Sequence, residues 1–271
     1  MVSVSCTNLT QFTTTYRETM WVRIPPWTPT LELVFLVYTG DMVPVIDVSY
    51  WQGEIDFNVM QDAGVQGVYI RAGRGVEADT NFEYNVDKAK TARLKIGAYW
   101  FLNPTSSADP KVPDRMLAVA HKSNDLWLPP MMDVEWYKAI GPYPELSGEA
   151  YASWLRTFSN TVKRNARRPI IYTNVNYWNP NVGSSSFGDH QLILSKWITS
   201  TEVPSPENWD DFAATTSSPV IPMGWTAWNM WQFSAQGNAQ GVKYGASSVD
   251  LDLNIATDTT WASWVAYTRN K

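Results

Sequence analysis

The chain has 271 residues, 44% of them hydrophobic and 17% charged, with a formal net charge of −5, the balance of a folded globular chain long enough for one large barrel or two small domains. Acids and bases are interspersed, so the basic patch that phosphate neutralisation requires is missing and nucleic acid is excluded as a partner. One cysteine, Cys6, and two distant histidines, His121 and His190, form no disulfide framework and no metal-ligand spacing, so neither a metal nor a cofactor is expected.

Residues 1 to 41 hold no run of the roughly 18 to 20 apolar residues that a membrane span needs. They also lack the ordered basic, apolar and small-residue regions of a secretory signal; Leu31 to Tyr38 is apolar but short and interrupted by Glu32. Pro25, Pro26 and Pro29 lie amid Thr and Trp with no sustained period. This extension is expected to be a poorly ordered tail or a docking arm that presents Trp21 and Trp27. The folded domain is expected to run from Met42 to Lys271.

From Val43 onward, short apolar runs alternate with helical segments, the pattern of an α/β protein with a largely parallel sheet. Candidate strands cover 43–48, 67–71, 95–101, 130–135, 169–173, 191–197, 228–233 and 249–253. Thr80 and Glu83 form a capping-box pattern ahead of a helix carrying Phe82, Val86 and Ala89. Ser147 opens another, striped by Trp154, Phe158 and Val162 at i, i+4 and i+8. The Pro-, Ser- and Thr-rich stretch 200–224 reads as a long loop, after which helices are hard to find. Eight strands with fewer than eight helices predict an irregular TIM-like barrel.

Asp133-Val134-Glu135 ends the fourth candidate strand. Alternation puts both acids on one face, with Met132 and Val134 on the other. Carboxylates in an apolar element are costly unless paired or working, and two acids in unlike surroundings are the minimum apparatus for acid catalysis at a glycosidic bond. Asp47 ends the first strand and Asp252 lies near the end of the last. In a closed barrel those strands are neighbours, so four carboxylates ring one mouth and mutual repulsion should raise at least one pKa. Fifteen Trp and thirteen Tyr exceed what such a core needs, and flat aromatic faces suit sugar rings.

These residues carry a resemblance. Val45-Ile46-Asp47-Val48-Ser49-Tyr50-Trp51-Gln52-Gly53 resembles the opening signature of the glycoside hydrolase family 25 lysozymes, the Chalaropsis-type muramidases. Gly97-Ala98-Tyr99-Trp100-Phe101, Asp133-Val134-Glu135, Ile171-Tyr172-Thr173-Asn174, Trp231-Gln232-Phe233 and Leu251-Asp252-Leu253-Asn254 follow in that family's order.

The resemblance implies hydrolysis of the β-1,4 bond between N-acetylmuramic acid and N-acetylglucosamine in bacterial peptidoglycan. It implies Glu135 as proton donor, Asp133 as the group that orients the substrate's acetamido function, and Asp47 and Asp252 completing the acidic mouth. A rival assignment makes Asp47 or Asp133 a direct nucleophile or base. Arg71, Tyr99, Phe101 and Tyr172 are the expected sugar contacts. Two departures stand out: Arg71-Ala72-Gly73-Arg74-Gly75 replaces a Lys-x-Ser/Thr-Glu-Gly run and lacks its Glu, and Tyr99-Trp100-Phe101 replaces Tyr-His-Phe. The competing function is a non-catalytic glycan-binding barrel in a virion or cell-surface assembly. The expected setting is a monomeric phage lysin or virion-associated enzyme acting on the bacterial cell wall, rather than a classically secreted one.

Overall fold

The computed structural model describes residues 12–13, 19–20, 42–102, 104, 109–120, 126, 128–136, 146–183, 186–198, 219–236 and 238–266. The chain divides into two units, Met1–Gly40 and Asp41–Lys271. In the first, Phe12–Thr13 pairs antiparallel with Thr19–Met20, a short ladder that the irregular sequence pattern gave no reason to expect. The candidate docking residues Trp21 and Trp27, the run 31–38, Cys6 and His121 lie outside the described residues, as does most of the 200–224 loop.

The second unit is a closed barrel. Its strands are β1 (Met42–Val48), β2 (Gly67–Arg74), β3 (Lys95–Leu102), β4 (Met131–Val134), β5 (Ile170–Thr173), β6 (Leu192–Ser195), β7 (Met230–Ser234) and β8 (Asp252–Thr257). Neighbours pair in sequence order, and β1 closes the ring by pairing with both β2 and β8. Strands β1 to β7 run parallel wherever they pair, whereas β8 is antiparallel to β7 and to β1. A short strand, Glu77–Ala78, folds back on the end of β2.

Alternation sorts the side chains into two apolar clusters. The inner one takes Val45, Tyr69, Tyr99, Met131, Tyr172, Ile193 and Met230 from successive strands, with Trp261 and Trp264 joining them. The outer one takes the opposite residues, such as Ile46, Ile70, Trp100, Met132 and Val134, and packs them against the helices. Gly97 belongs to the inner face because the Tyr69 ring occupies the space where a Cβ would stand, and the Tyr69 hydroxyl donates to the Pro129 carbonyl at 3.1 Å.

Among the described residues six α-helices accompany the strands: α1 (Phe57–Asp62), α2 (Phe82–Thr91), α3 (Val112–Ala120), α4 (Gly148–Asn165), α5 (Val175–Asn181) and α6 (Asp258–Val265). The expected stripe on α4 is real: Phe158 and Val162 are buried and Trp154 packs beside them. Two expectations need correction. The Thr80–Glu83 capping box does not form; α2 starts at Phe82 after Asn81, and Asp79 accepts from the Asn81 backbone N–H instead, at 2.9 Å. The last strand runs 252–257 rather than 249–253, and α6 follows it, capped by Thr257 accepting from the Thr260 N–H. Among the described residues no helix is long and apolar enough to cross a membrane.

Candidate active site

At the mouth of the barrel a cleft of about 610 Å³ is lined by Asp47, Asp133, Glu135 and Asp252, together with Arg71, Tyr99, Phe101 and Tyr172. All eight sequence-selected residues therefore meet at one place. Asp47 and Asp133 reach it from near the C-terminal ends of parallel strands, with Glu135 one residue past β4. Asp252 reaches it from the opposite direction. It is the first residue of β8, not near its end, and arrives at the same mouth because β8 is antiparallel; its direct partner across the ladder is Asp47.

Asp47 is held in place. Its Oδ2 accepts from Gln232 Nε2 at 3.0 Å and from Asn254 Nδ2 at 2.9 Å. Gln232 Oε1 in turn accepts from the Tyr172 hydroxyl at 2.8 Å and from Trp197 Nε1 at 2.9 Å. Asp133 differs: it is 6% exposed, its ladder partners are Phe101 and Tyr172, and its Oδ1 is buried without any hydrogen-bond partner. A buried carboxylate oxygen left bare is costly, which points to a donor that arrives with a ligand.

The electrostatics follow from this packing. Burial pushes the Glu135 carboxyl up to about 7, helped by the negative charge of Asp47 and opposed by Arg74. Asp133 lies well above the ordinary carboxylate range, first because it is buried and then because Glu135 and Asp47 repel its charge. Asp252 is likewise well raised, by loss of hydration and by Asp47. Burial also raises Asp47, against the lowering effect of Asn254, Gln232 and Asp252. Loss of water thus outweighs the mutual repulsion that the sequence alone suggested as the cause.

Arg71 is not a free cation for substrate. Its Nε and Nη2 both lie 2.8 Å from Asp79 Oδ2, and its guanidinium sits 4.8 Å from the Tyr50 ring centroid. The charge expected to meet substrate is therefore shared with Asp79, and the pair braces the wall of the cleft. The turn that carries Tyr50 is fixed by reciprocal caps: Ser49 accepts from the Trp51 N–H at 3.3 Å and Gln52 accepts from the Ser49 N–H at 2.8 Å. It leaves Trp51 63% exposed at the rim, where Trp136 at 55% and Trp197 at 45% also stand. Such faces offer stacking surface to sugar rings.

Sequence reasoning missed Gln232, Asn254, Asp79, Arg74 and these three tryptophans as site residues. Asn254 was reachable, because i+2 from Asp252 on a strand is the same face. Asp79 was not, since it depends on the fold-back after β2. Among the described residues no group of three or more His, Cys, Asp or Glu side chains is arranged to hold a metal ion.

Comparisons with known proteins agree with this geometry. The model of glycosyl hydrolases family 25 matches residues 46–242. Lysozyme M1 of Streptomyces globisporus is 29% identical over 213 residues, covering 77% of this chain and 66% of its own length. The N,O-diacetylmuramidase of Chalaropsis is 25% identical over 218 residues, covering 77% of this chain and 93% of that enzyme. Among solved structures, a bacterial lysozyme from Streptomyces coelicolor superposes with a TM-score of 0.66 at 27% identity, over 83% of this chain and 96% of that one. The chain belongs to the glycosyl hydrolases of family 25.

Proposed function

We propose that this glycoside hydrolase is a lysozyme that cleaves the β-1,4 bond between N-acetylmuramic acid and N-acetylglucosamine in bacterial peptidoglycan, with Glu135 as the acid and Asp133 as the acetamido-orienting group. The observation that carries this reading is the pair itself: a carboxyl poised at about 7 beside a buried carboxyl with a bare Oδ1. A substrate acetamido N–H is the donor that Oδ1 lacks. Accepting it favours the ionised form of Asp133, so the proton shared by the two acids comes to rest on Glu135.

Glu135 then gives its proton to the leaving oxygen as the glycosidic C1–O bond breaks, and the acetamido carbonyl oxygen closes on C1. Water opens that ring while the Glu135 carboxylate takes its proton, returning the enzyme to its starting state. Asp47 is ill suited to direct attack, because two amide N–H groups already occupy its Oδ2. Its place is to support the mouth and hold negative charge near Glu135. Tyr99, Phe101 and Tyr172 would line the sugar path, with Trp51, Trp136 and Trp197 at its edge.

A barrel that only grips glycan has no use for four acids raised by burial, since each costs stability when ionised. The decisive test is Glu135→Gln assayed on purified peptidoglycan, with products read by mass spectrometry. Loss of a general acid should lower the rate by about 10² to 10⁴. New reducing ends at muramic acid identify the muramidase, cleaved amide bonds an amidase, and intact sacculi a binder. Near wild-type turnover by folded Glu135→Gln would rule out the assignment.

The place of action is the bacterial cell wall. We further propose a phage lysin or virion-associated enzyme working as a monomer, supported by a cleft assembled within one chain. Detection of the protein in purified virions or in phage lysates tests the setting, and sedimentation of the active protein tests the monomer.

A further inference from the structure

A bulge in β2 turns a second arginine into the cleft. Arg71 pairs with Tyr99, but the register then slips so that Gly73 lies opposite Trp100 and Arg74 opposite Phe101. Strict alternation from Arg71 would send Arg74 outward with Ile70 and Ala72. The extra residue reverses that, which is what bulges do near working sites. The outward place falls to Gly73, where the Trp100 ring fills the volume of a side chain. Trp100 Nε1 also donates to the Gly75 carbonyl at 2.9 Å, so packing outside the barrel fixes the turn that presents Arg74 inside it.

The guanidinium of Arg74 sits 5.0 Å from the centroid of the Phe101 ring. Its Nε is closed off from solvent and has no hydrogen-bond partner. Of the two arginines lining the cleft, Arg71 already gives Nε and Nη2 to Asp79, whereas the buried Nε of Arg74 is unclaimed. Around it the cleft presents Asp47, Asp133, Glu135, Asp250 and Asp252. An anionic substrate entering such a mouth is repelled unless one fixed cation receives it. A guanidinium fork with free N–H groups matches a carboxylate.

We propose that Arg74 is a specificity residue that binds a carboxylate carried on the 3-O-lactyl arm of muramic acid: one of the attached peptide where the lactyl group is amide-linked to it, or the lactyl carboxylate itself where the peptide is absent. This rests on the muramidase reading. A neutral polymer of N-acetylglucosamine offers Arg74 nothing, so the contact selects wall glycan over chitin-like chains.

The test compares the full-length wild type with Arg74→Gln and Arg74→Lys, each at its own pH optimum, on three substrates. These are native peptidoglycan, the same peptidoglycan with its carboxylates amidated by methylamine, and glycan strands stripped of peptide so that only the lactyl carboxylate remains. Wild-type kcat/KM should fall about tenfold on amidation, the worth of one charge-assisted hydrogen bond. Arg74→Gln should lose a similar factor on native wall, mostly through KM, and its native-to-amidated ratio should approach one, with Arg74→Lys in between. Stripped strands cleaved as well as native wall show that the lactyl carboxylate, freed of its amide, serves Arg74 equally well; poor cleavage restricts the contact to the carboxylates of the peptide. Equal wild-type rates on native and amidated wall would overturn the inference, as would a wild-type ratio retained by Arg74→Gln. Should Arg74→Gln fail to fold, the wild-type amidation ratio and Arg74→Lys still decide. A wild type that releases no reducing ends from native wall sinks the muramidase reading instead.

Discussion

Asp47 and Asp252 face each other as direct partners across the antiparallel pair β1–β8, and burial, with the negative charge of Asp47 beside it, raises Asp252 well above the ordinary carboxylate range. Of the two, it is the negative charge of Asp47 that helps hold Glu135 at about 7. Removing a negative neighbour stabilises the ionised form of Glu135, so its proton is lost at lower pH. Asp47→Asn should move the alkaline limb of the kcat/KM profile to lower pH. Asp252→Asn should leave that limb closer to its wild-type position, since the charge that raises Glu135 is that of Asp47. A larger shift in Asp252→Asn than in Asp47→Asn would contradict this division of charge.

Glu135 should also govern how stability depends on pH. Its carboxyl titrates near 4.5 when unperturbed and at about 7 in the folded protein. Between those values the unfolded chain releases a proton that the folded chain keeps, so stability present at low pH is lost as pH rises through about 7. Glu135→Gln cannot ionise and escapes that loss. Its Tm should exceed that of the wild type at pH 8 by more than at pH 4, as measured by calorimetry. A Tm difference that does not change with pH would mean that Glu135 has no such linkage.

Ser159, His190 and Asp189 form a chain of contacts that resembles a hydrolase triad, with Ser159 Oγ 2.6 Å from His190 Nε2 and His190 Nδ1 2.8 Å from Asp189 Oδ1. Ser159 is only 1% exposed and His190 3%, so no substrate reaches the hydroxyl. Burial holds His190 below its ordinary pKa, and the neutral ring bridges α4 to the residues before β6. Ser159→Ala should leave wall lysis intact and cost about 1 to 3 kcal/mol, the price of a buried ring nitrogen without a partner. A loss of wall lysis by correctly folded Ser159→Ala would give this chain of contacts a part in the chemistry.

The boundary at Met42 is a proposal that truncation tests. Met1–Gly40 and Asp41–Lys271 form separate compact units, and every described cleft residue lies beyond position 46. A chain that starts at Met42 should unfold with similar cooperativity and cleave peptidoglycan at a similar rate. Aggregation, or loss of most of its thermal stability, would place residues 1 to 41 within the folding unit.

Much of the site was legible in the sequence because strand alternation is local. Chirality and the pleat put Asp133 opposite Val134, and the order of apolar runs located the eight strands to within a few residues at most ends. The four acids could be assigned to one mouth from that alone, once a closed ring made β1 and the last strand neighbours. What lay beyond reach depended on pairing between distant segments. Period two does not encode strand direction, so the antiparallel course of β8, which makes Asp252 the first residue of its strand, appears only when the ring closes. The fold-back that brings Asp79 onto Arg71, and the bulge that turns Arg74 inward, are likewise decided by packing: one extra residue in a ladder reverses a face, and only the Trp100 ring against Gly73 determines where it goes. The bare oxygen of Asp133 is tertiary too, because a missing partner is a property of everything packed around an atom, whereas the identity of the atom is all that the sequence records.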